Sequence, residues 1–107
     1  LLLAQLTADE KSRSVVYVAA QLIAGGTQLS FPRTRIDVPW DALLAFIDRE
    51  PTANWSHACR YLLLNRETGE ARSIDAQLPP FRPDQIGYWR VAYKAPSVPD
   101  AVVMTLR

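Results

Sequence analysis

The chain has one cysteine and one histidine among its 107 residues, and each scarcity excludes a class of protein. A single cysteine excludes a disulfide scaffold within the chain. One histidine and one cysteine are too few for a zinc site built from these residue types. No run approaches the roughly 18 apolar residues that a membrane-spanning helix needs. The formal net charge is only +1, so no overall field points to nucleic acid or to an acidic partner.

The rest of the composition is typical of a folded domain. Hydrophobic residues make up 49% of the chain and charged residues 21%, a balance that argues against disorder. A chain of this length has room for one core, so we predict a single domain over residues 1–107.

A β-hairpin in the middle of the chain is the strongest local prediction. Residues 66–69 have the composition of a four-residue loop, with Gly69 in the left-handed conformation that glycine adopts without strain. This loop sets Arg60 opposite Asp75, a pair of opposite charges on one face of the hairpin. Two apolar pairs share the other face: Tyr61 with Ile74, and Cys59 with Ala76.

The N-terminal part predicts a helical turn followed by a second hairpin. Thr7 and Glu10 have the spacing of a capping box, which marks a helix start. Residues 14–24 are rich in β-branched side chains, and the Gly25-Gly26 pair suits a tight turn, so we predict a hairpin there. It would pair Leu22 with Leu29 and Ala20 with Phe31. One long helix ending at Gly25 is the competing interpretation.

An amphipathic helix is predicted over about residues 38–50. Asp37 can cap its start, Pro39 suits its first turn, and Pro51 ends it. Four apolar side chains recur at helical spacing and form one stripe: Trp40, Leu43, Leu44 and Ile47.

Two strands are predicted near the end of the chain, at residues 88–94 and 101–106, and they would form a third hairpin. Together the elements predict an α+β fold. A mostly antiparallel sheet built from hairpins would carry the helix at about 38–50 on one face, with room for an additional N-terminal helix.

No group of residues predicts catalysis or metal binding. His57 and Cys59 share a face if they lie in a strand, but no further histidine or cysteine exists to complete a site. The hairpin register also turns Cys59 toward the core, where a buried thiol is inert. We therefore expect no catalytic residue, no metal site and no cofactor, and we predict that the protein is not an enzyme.

The leading functional hypothesis is a small non-enzymatic protein-interaction module that self-associates through an apolar sheet face or edge, most simply as a homodimer. Leu62 and Leu64 fall on the face opposite Tyr61 and Cys59. One helix cannot cover both faces of a sheet, so apolar residues on the second face predict a protein partner. A rigid proline-aromatic segment extends the predicted surface with Pro80, Phe81 and Tyr88.

Two alternatives stay open. A small-ligand or anion-binding protein would hold its ligand in a pocket between helix and sheet. Its polar anchors would be Arg60 or Arg90, and its apolar walls Trp40 and Trp89. The second alternative is single-stranded nucleic-acid binding through the sheet, since arginines beside aromatics can contact phosphates and stack bases. The small net charge argues against nucleic acid as the partner.

Overall fold

Strands make up most of the regular structure. A computed structural model describes residues 2–31, 34–49, 59–76 and 89–98. In chain order, a 3-10 turn at Leu3–Gln5 and helix α1 (Ala8–Arg13) precede seven strands in this part of the chain. They are β1 (Val15–Ala19), β2 (Gln28–Phe31), β3 (Thr34–Asp37), β4 (Ala42–Asp48), β5 (Cys59–Asn65), β6 (Ala71–Ala76) and β7 (Trp89–Lys94).

The predicted antiparallel sheet is confirmed. Five strands form the main sheet in the order β6-β5-β4-β1-β7, and every pairing within it is antiparallel. Strands β2 and β3 form a separate two-stranded hairpin. The helix content is lower than predicted.

The predicted helix over residues 38–50 is wrong, because Ala42–Asp48 forms strand β4 at the centre of the main sheet. This strand pairs with β1 on one side and with β5 on the other, and all of its residues except the half-buried Leu43 are buried. A strand covered on both faces is apolar at nearly every position. Such a run contains the helical spacing of Leu43, Leu44 and Ile47 by necessity, so periodicity alone does not separate helix from strand.

The N-terminal predictions have mixed outcomes. Helix α1 exists, and the capping box of Thr7 and Glu10 is formed in both directions. Residues 15–19 form a strand, so the competing long helix is wrong. The hairpin at Gly25-Gly26 is also wrong, because β1 pairs with β4 and β7 while β2 pairs with β3.

The buried position of β1 explains the missing hairpin. All five of its residues are buried, as expected for an inner strand with a neighbour on each side. Leu29 therefore lies opposite Ile36 instead of Leu22.

Gly25 allows two segments of backbone to approach closely. A Cβ atom at this position would lie 2.8 Å from the Cα of Trp40, so only glycine permits this approach.

The hairpin of β5 and β6 is confirmed in register and in its loop. Arg60 lies opposite Asp75, and the apolar pairs are the predicted ones: Tyr61 with Ile74, and Cys59 with Ala76. Gly69 has a φ angle of +78°. The Asn65 side-chain oxygen holds the loop by accepting hydrogen bonds from the backbone N–H groups of Glu67 at 2.8 Å and Thr68 at 3.1 Å.

Strand β7 confirms the predicted strand for residues 89–94. Residue Tyr88 and the partner strand predicted at 101–106 lie outside the described residues. In the described part of the chain, β7 pairs with β1.

The main sheet has two apolar faces, here named face A and face B. Face A carries an aromatic row in which Phe46 stacks on Tyr17 and tilts against Tyr61, with ring centroids 5.8 and 5.3 Å apart. The β2–β3 hairpin adds the buried Leu29 and Ile36 to this core. Face B has its own buried cluster: Val16, Val18, Ala45, Ile47, Leu62 and Leu64 from the sheet, joined by Leu6 from the N-terminal segment.

Candidate interaction site

Leu62 and Leu64 lie on face B, opposite the face that carries Tyr61, as their alternation along the strand predicts. They are not open to a partner, because their exposed fractions are 1% and 6%. The expectation of an uncovered Leu62 and Leu64 is therefore wrong. The reason is the N-terminal segment, residues 2–13, which folds back over this face and brings Leu6 into the same cluster.

Glu10 fixes the N-terminal segment to face B through two arginines; we name Glu10, Arg49 and Arg60 the Glu10 clamp. Arg60 donates from Nε to Oε2 at 3.0 Å and from Nη2 to Oε1 at 2.8 Å. Arg49 donates from Nε to Oε2 at 2.8 Å, and the backbone N–H of Thr7 donates to Oε1 at 2.9 Å. Both carboxylate oxygens thus have two donors each, which allows the charge to be buried.

Two further donors of Arg60 are also engaged. Its Nη1 donates to the Ser73 hydroxyl at 2.9 Å, and its Nη2 donates to the Gln5 carbonyl at 3.0 Å. Arg60 was a predicted ligand anchor, and the structure places it inside this network. Its guanidinium binds a residue of the same chain.

The clamp strongly favours the ionised form of Glu10. Burial opposes ionisation, but the hydrogen bonds from Arg60, from the Thr7 backbone and from Arg49 outweigh it and lower the pKa of Glu10 from 4.5 to about 2. The carboxylate is therefore charged throughout the physiological range, and the clamp is closed there.

The far end of face B is less covered and forms a cleft of about 410 Å³. Val18 and the half-buried Leu43 come from β1 and β4, two of the three inner strands of the sheet. Strand β7 supplies Arg90, Val91 and Ala92, all three exposed. Val91 has an exposed fraction of 46%, which is high for a large apolar side chain in a strand. We name these five residues the β7 cleft.

A β-bulge lies in β7 beside the cleft. The register between β1 and β7 shifts between Val16 and Tyr17, where Val16 lies opposite Tyr93 and Tyr17 lies opposite Val91. Ala92 is therefore the additional residue. Before the bulge the alternation is regular, so Arg90 lies opposite Val18 of face B and Val91 lies opposite Tyr17 of face A, in the outermost described strand of the sheet. Bulges are frequent beside functional sites.

The structure does not bring the four predicted ligand residues together. Trp89 is buried in face A, where its ring meets Phe46 edge-on at 6.4 Å. Trp40 is half-buried and packs against the same core. Arg90 lines the β7 cleft, and Arg60 belongs to the Glu10 clamp. With the helix over residues 38–50 absent, the predicted pocket between that helix and the sheet does not exist.

Three residues of the predicted interaction surface, Pro80, Phe81 and Tyr88, lie outside the described residues. His57 lies outside them as well, so the proximity of His57 and Cys59 has no structural description.

Cys59 is buried in face A, as the hairpin register predicts. Burial, with a smaller contribution from the nearby Asp48 carboxylate, raises the pKa of its thiol to about 12. The thiol is thus protonated and weakly nucleophilic at neutral pH. Within the described ranges, no three histidine, cysteine or acidic residues are grouped so that they would hold a metal ion.

Three residues that define these two sites, Glu10, Leu43 and Val91, are absent from the predicted site. The sequence marks Glu10 only as part of a capping box, and nothing local indicates that its carboxylate reaches Arg60. The spacing predicts Leu43 in a helix stripe and Val91 in a regular strand. The only local signal for the cleft is the apolar character of Val91 and Ala92 beside Arg90.

Similarity to other proteins assigns the chain to no family. In the part of the chain that the structure describes, no helix has the length and apolar character needed to cross a membrane. Comparison of the chain with protein-family models, curated proteins and solved structures returned no match.

Proposed function

We propose that the chain is a small non-enzymatic protein-interaction module. Its contact surface is the β7 cleft, and its partner is a second copy of the chain. The observation that carries this proposal is the exposure of Val91. This side chain is 46% exposed in a strand of the main sheet and borders a cleft with the half-buried Leu43. An exposed apolar side chain beside an apolar cleft is stabilised when a partner removes both from water.

The chemistry of the cleft suits a protein contact. Val18, Leu43 and Ala92 give it an apolar floor, and Arg90 gives it a polar border. Interfaces commonly combine an apolar centre with a polar rim, and arginine is enriched in them. The low net charge of the chain also favours association between copies, since like charges do not hold them apart.

Sedimentation velocity of the wild type over a range of concentrations, up to high micromolar, tests the proposal. We expect a reversible increase in mass with concentration. The variant Val91→Glu should abolish this increase while keeping the wild-type circular dichroism spectrum, because Val91 is exposed in the single chain.

Leu22→Glu is the matched control, since Leu22 is 47% exposed but lines a different cleft, beside Asp41 and Arg66. It should leave the association unchanged. A wild type that stays monomeric, or an equal effect of Val91→Glu and Leu22→Glu, would remove the proposal that copies meet at the β7 cleft.

Arg90 supports a second candidate function, the binding of a small anionic ligand. An arginine that borders an apolar cleft can hold a carboxylate while the apolar wall contacts the rest of the molecule. Thermal unfolding in the presence of a panel of small carboxylates and phosphates tests this function. A rise in melting temperature that Arg90→Gln removes would support it, and no rise with any compound would exclude these ligands.

A further inference from the structure

The N-terminal segment, residues 2–13, is attached to the rest of the molecule mainly by contacts with residues far along the chain. Its Glu10 side chain binds Arg49 and Arg60. Its backbone carbonyls accept hydrogen bonds from the hydroxyl of Tyr93 at Lys11 and from the hydroxyl of Ser97 at Ser12, the latter at 2.9 Å. Leu6 is the one buried apolar side chain of residues 2–13.

A single residue joins this segment to the sheet. Helix α1 ends at Arg13 and β1 begins at Val15, so only Ser14 lies between them. Ser14 has an extended backbone, with φ −95° and ψ 158°. A connection this short would act as the hinge in an exchange of terminal elements, because a change of its backbone angles directs the element onto a neighbouring copy.

From these two observations we infer that two copies of the chain exchange their N-terminal segments, so that Glu10 of each copy closes the clamp on Arg49 and Arg60 of the other. This inference rests on the proposed self-association and names how the second copy is held. Exchange preserves the contacts of the segment, since the receiving surface is identical in both copies.

A second copy would match the receiving surface in charge, because its segment is identical to the one seated there. The receiving surface offers two arginines and takes one carboxylate, and the segment supplies that carboxylate with Leu6 four positions before it. When the segment leaves, the charges of both sides return to water together, so opening avoids the cost of leaving one buried charge unpaired. Closure on a second copy then restores the full network.

The place of the connection agrees with the proposed contact surface. The Ser14 carbonyl accepts a hydrogen bond from the Ala95 N–H at 3.0 Å, directly after β7 ends at Lys94. The same strand supplies Arg90, Val91 and Ala92 to the β7 cleft. Two copies joined through their Ser14 connections would therefore have their β7 strands near the junction.

A charge-reversal mixing experiment tests the exchange. Glu10→Arg and Arg60→Glu each place like charges in the clamp when a chain closes on itself or on a copy of itself. In an exchanged dimer of one variant with the other, both clamps pair opposite charges again. Arg49 is retained in both chains. It repels the segment that carries Glu10→Arg and attracts the segment that keeps Glu10, so the mixture is compared with the mean of the two variants measured alone.

We expect the equimolar mixture to form a dimer at concentrations about tenfold lower than either variant alone, as measured by sedimentation velocity. The double variant carrying both changes in one chain should recover the wild-type circular dichroism and association. As a control, reversing the exposed pair of Asp9 and Arg13, which lies within the segment itself, should change nothing on mixing.

The outcomes separate the exchange from the proposed function. If the wild type associates and Val91→Glu abolishes this, but mixing gives no gain, the exchange is wrong and the β7 cleft contact stands. If the mixture gains and Val91→Glu has no effect, the exchange stands and the cleft contact is wrong.

A second variant decides the question if the reversed clamp does not fold even in the double variant. Inserting four Gly and Ser residues between Arg13 and Ser14 should favour closure within one chain, because a longer connection relieves the constraint on folding back. The dimer of this variant should then require about tenfold higher concentration than the wild-type dimer. An unchanged dimerisation would overturn the exchange.

Discussion

Glu10 accepts two hydrogen bonds from Arg60, a residue 50 positions further along the chain, at 3.0 and 2.8 Å. A helix of only six residues has little stability by itself, so α1 depends on contacts of this kind. The contact also explains why face B is covered at one end and open at the other. The stability of the fold and its sensitivity to acid should depend on this contact.

Replacing Glu10 by glutamine should lower the free energy of unfolding by about 2–4 kcal/mol, because two arginines at a largely buried site lose their carboxylate. Urea denaturation followed by circular dichroism measures the change. Asp9→Asn is the matched control within the same helix, since Asp9 forms an exposed pair with Arg13. It should cost no more than about 0.5 kcal/mol. Equal losses in the two variants would contradict a special role for the clamp.

Acid should weaken the fold in a defined range of pH. The pKa of Glu10 is about 2 in the folded protein against an ordinary value of 4.5. The ionised clamp therefore stabilises the fold fully above pH 4.5, and this contribution is lost as the pH falls toward 2. The difference in unfolding free energy between the wild type and Glu10→Gln should shrink across this range, by at most about 3 kcal/mol. A difference that is constant with pH would show that Glu10 titrates normally.

The loop between β5 and β6 should be sensitive to the residue at position 69. Gly69 has a φ angle of +78°, which β-branched residues resist. Gly69→Val should lower the free energy of unfolding by about 1–3 kcal/mol. Gly69→Asn should cost less, because asparagine enters the left-handed region more readily. Thermal unfolding of both variants measures the effect, and equal melting temperatures for wild type and Gly69→Val would contradict the loop conformation.

Cys59 should react slowly with thiol reagents in the native protein. Its side chain is buried, and its pKa is raised to about 12, so thiolate is scarce at neutral pH. Labelling at pH 8 should be much faster in urea than in buffer, and Glu10→Gln should speed native labelling only as far as it increases unfolding. Rapid native labelling of the wild type would show that the thiol is accessible.

The β5–β6 hairpin was predictable because its determinants are local. Loop length, the glycine at position 69 and the alternation of side chains all lie within 18 residues of chain, from Cys59 to Ala76. Each determinant specifies the same register, including the charged pair of Arg60 and Asp75. Local agreement of this kind is sufficient to define a hairpin.

Strand β4 was not predictable from its own residues. Whether Ala42–Asp48 forms a helix or an inner strand depends on its pairing with β1 and β5, which lie elsewhere in the chain. Both structures tolerate an almost continuous apolar run. The choice between helix and strand is therefore decided by hydrogen bonds to strands that lie outside this stretch of sequence.

The candidate site was predicted in part. Alternation placed Leu62 and Leu64 on the correct face, but which segment covers them depends on Leu6 and Glu10, more than 50 residues before them. The β7 cleft lies beside a bulge, and a bulge follows from how two strands fit together.

The position of β1 between β4 and β7 has a consequence for synthesis on the ribosome. Val18 pairs with Ala45 on one side and with Arg90 on the other, so its two neighbours emerge at very different times. Until β7 has been made, one edge of a wholly apolar strand has unsatisfied backbone groups and can template pairing with other nascent chains. We expect ribosome-bound chains truncated before Trp89 to aggregate after release, and chains extended past Val98 to remain dispersed in a pelleting assay.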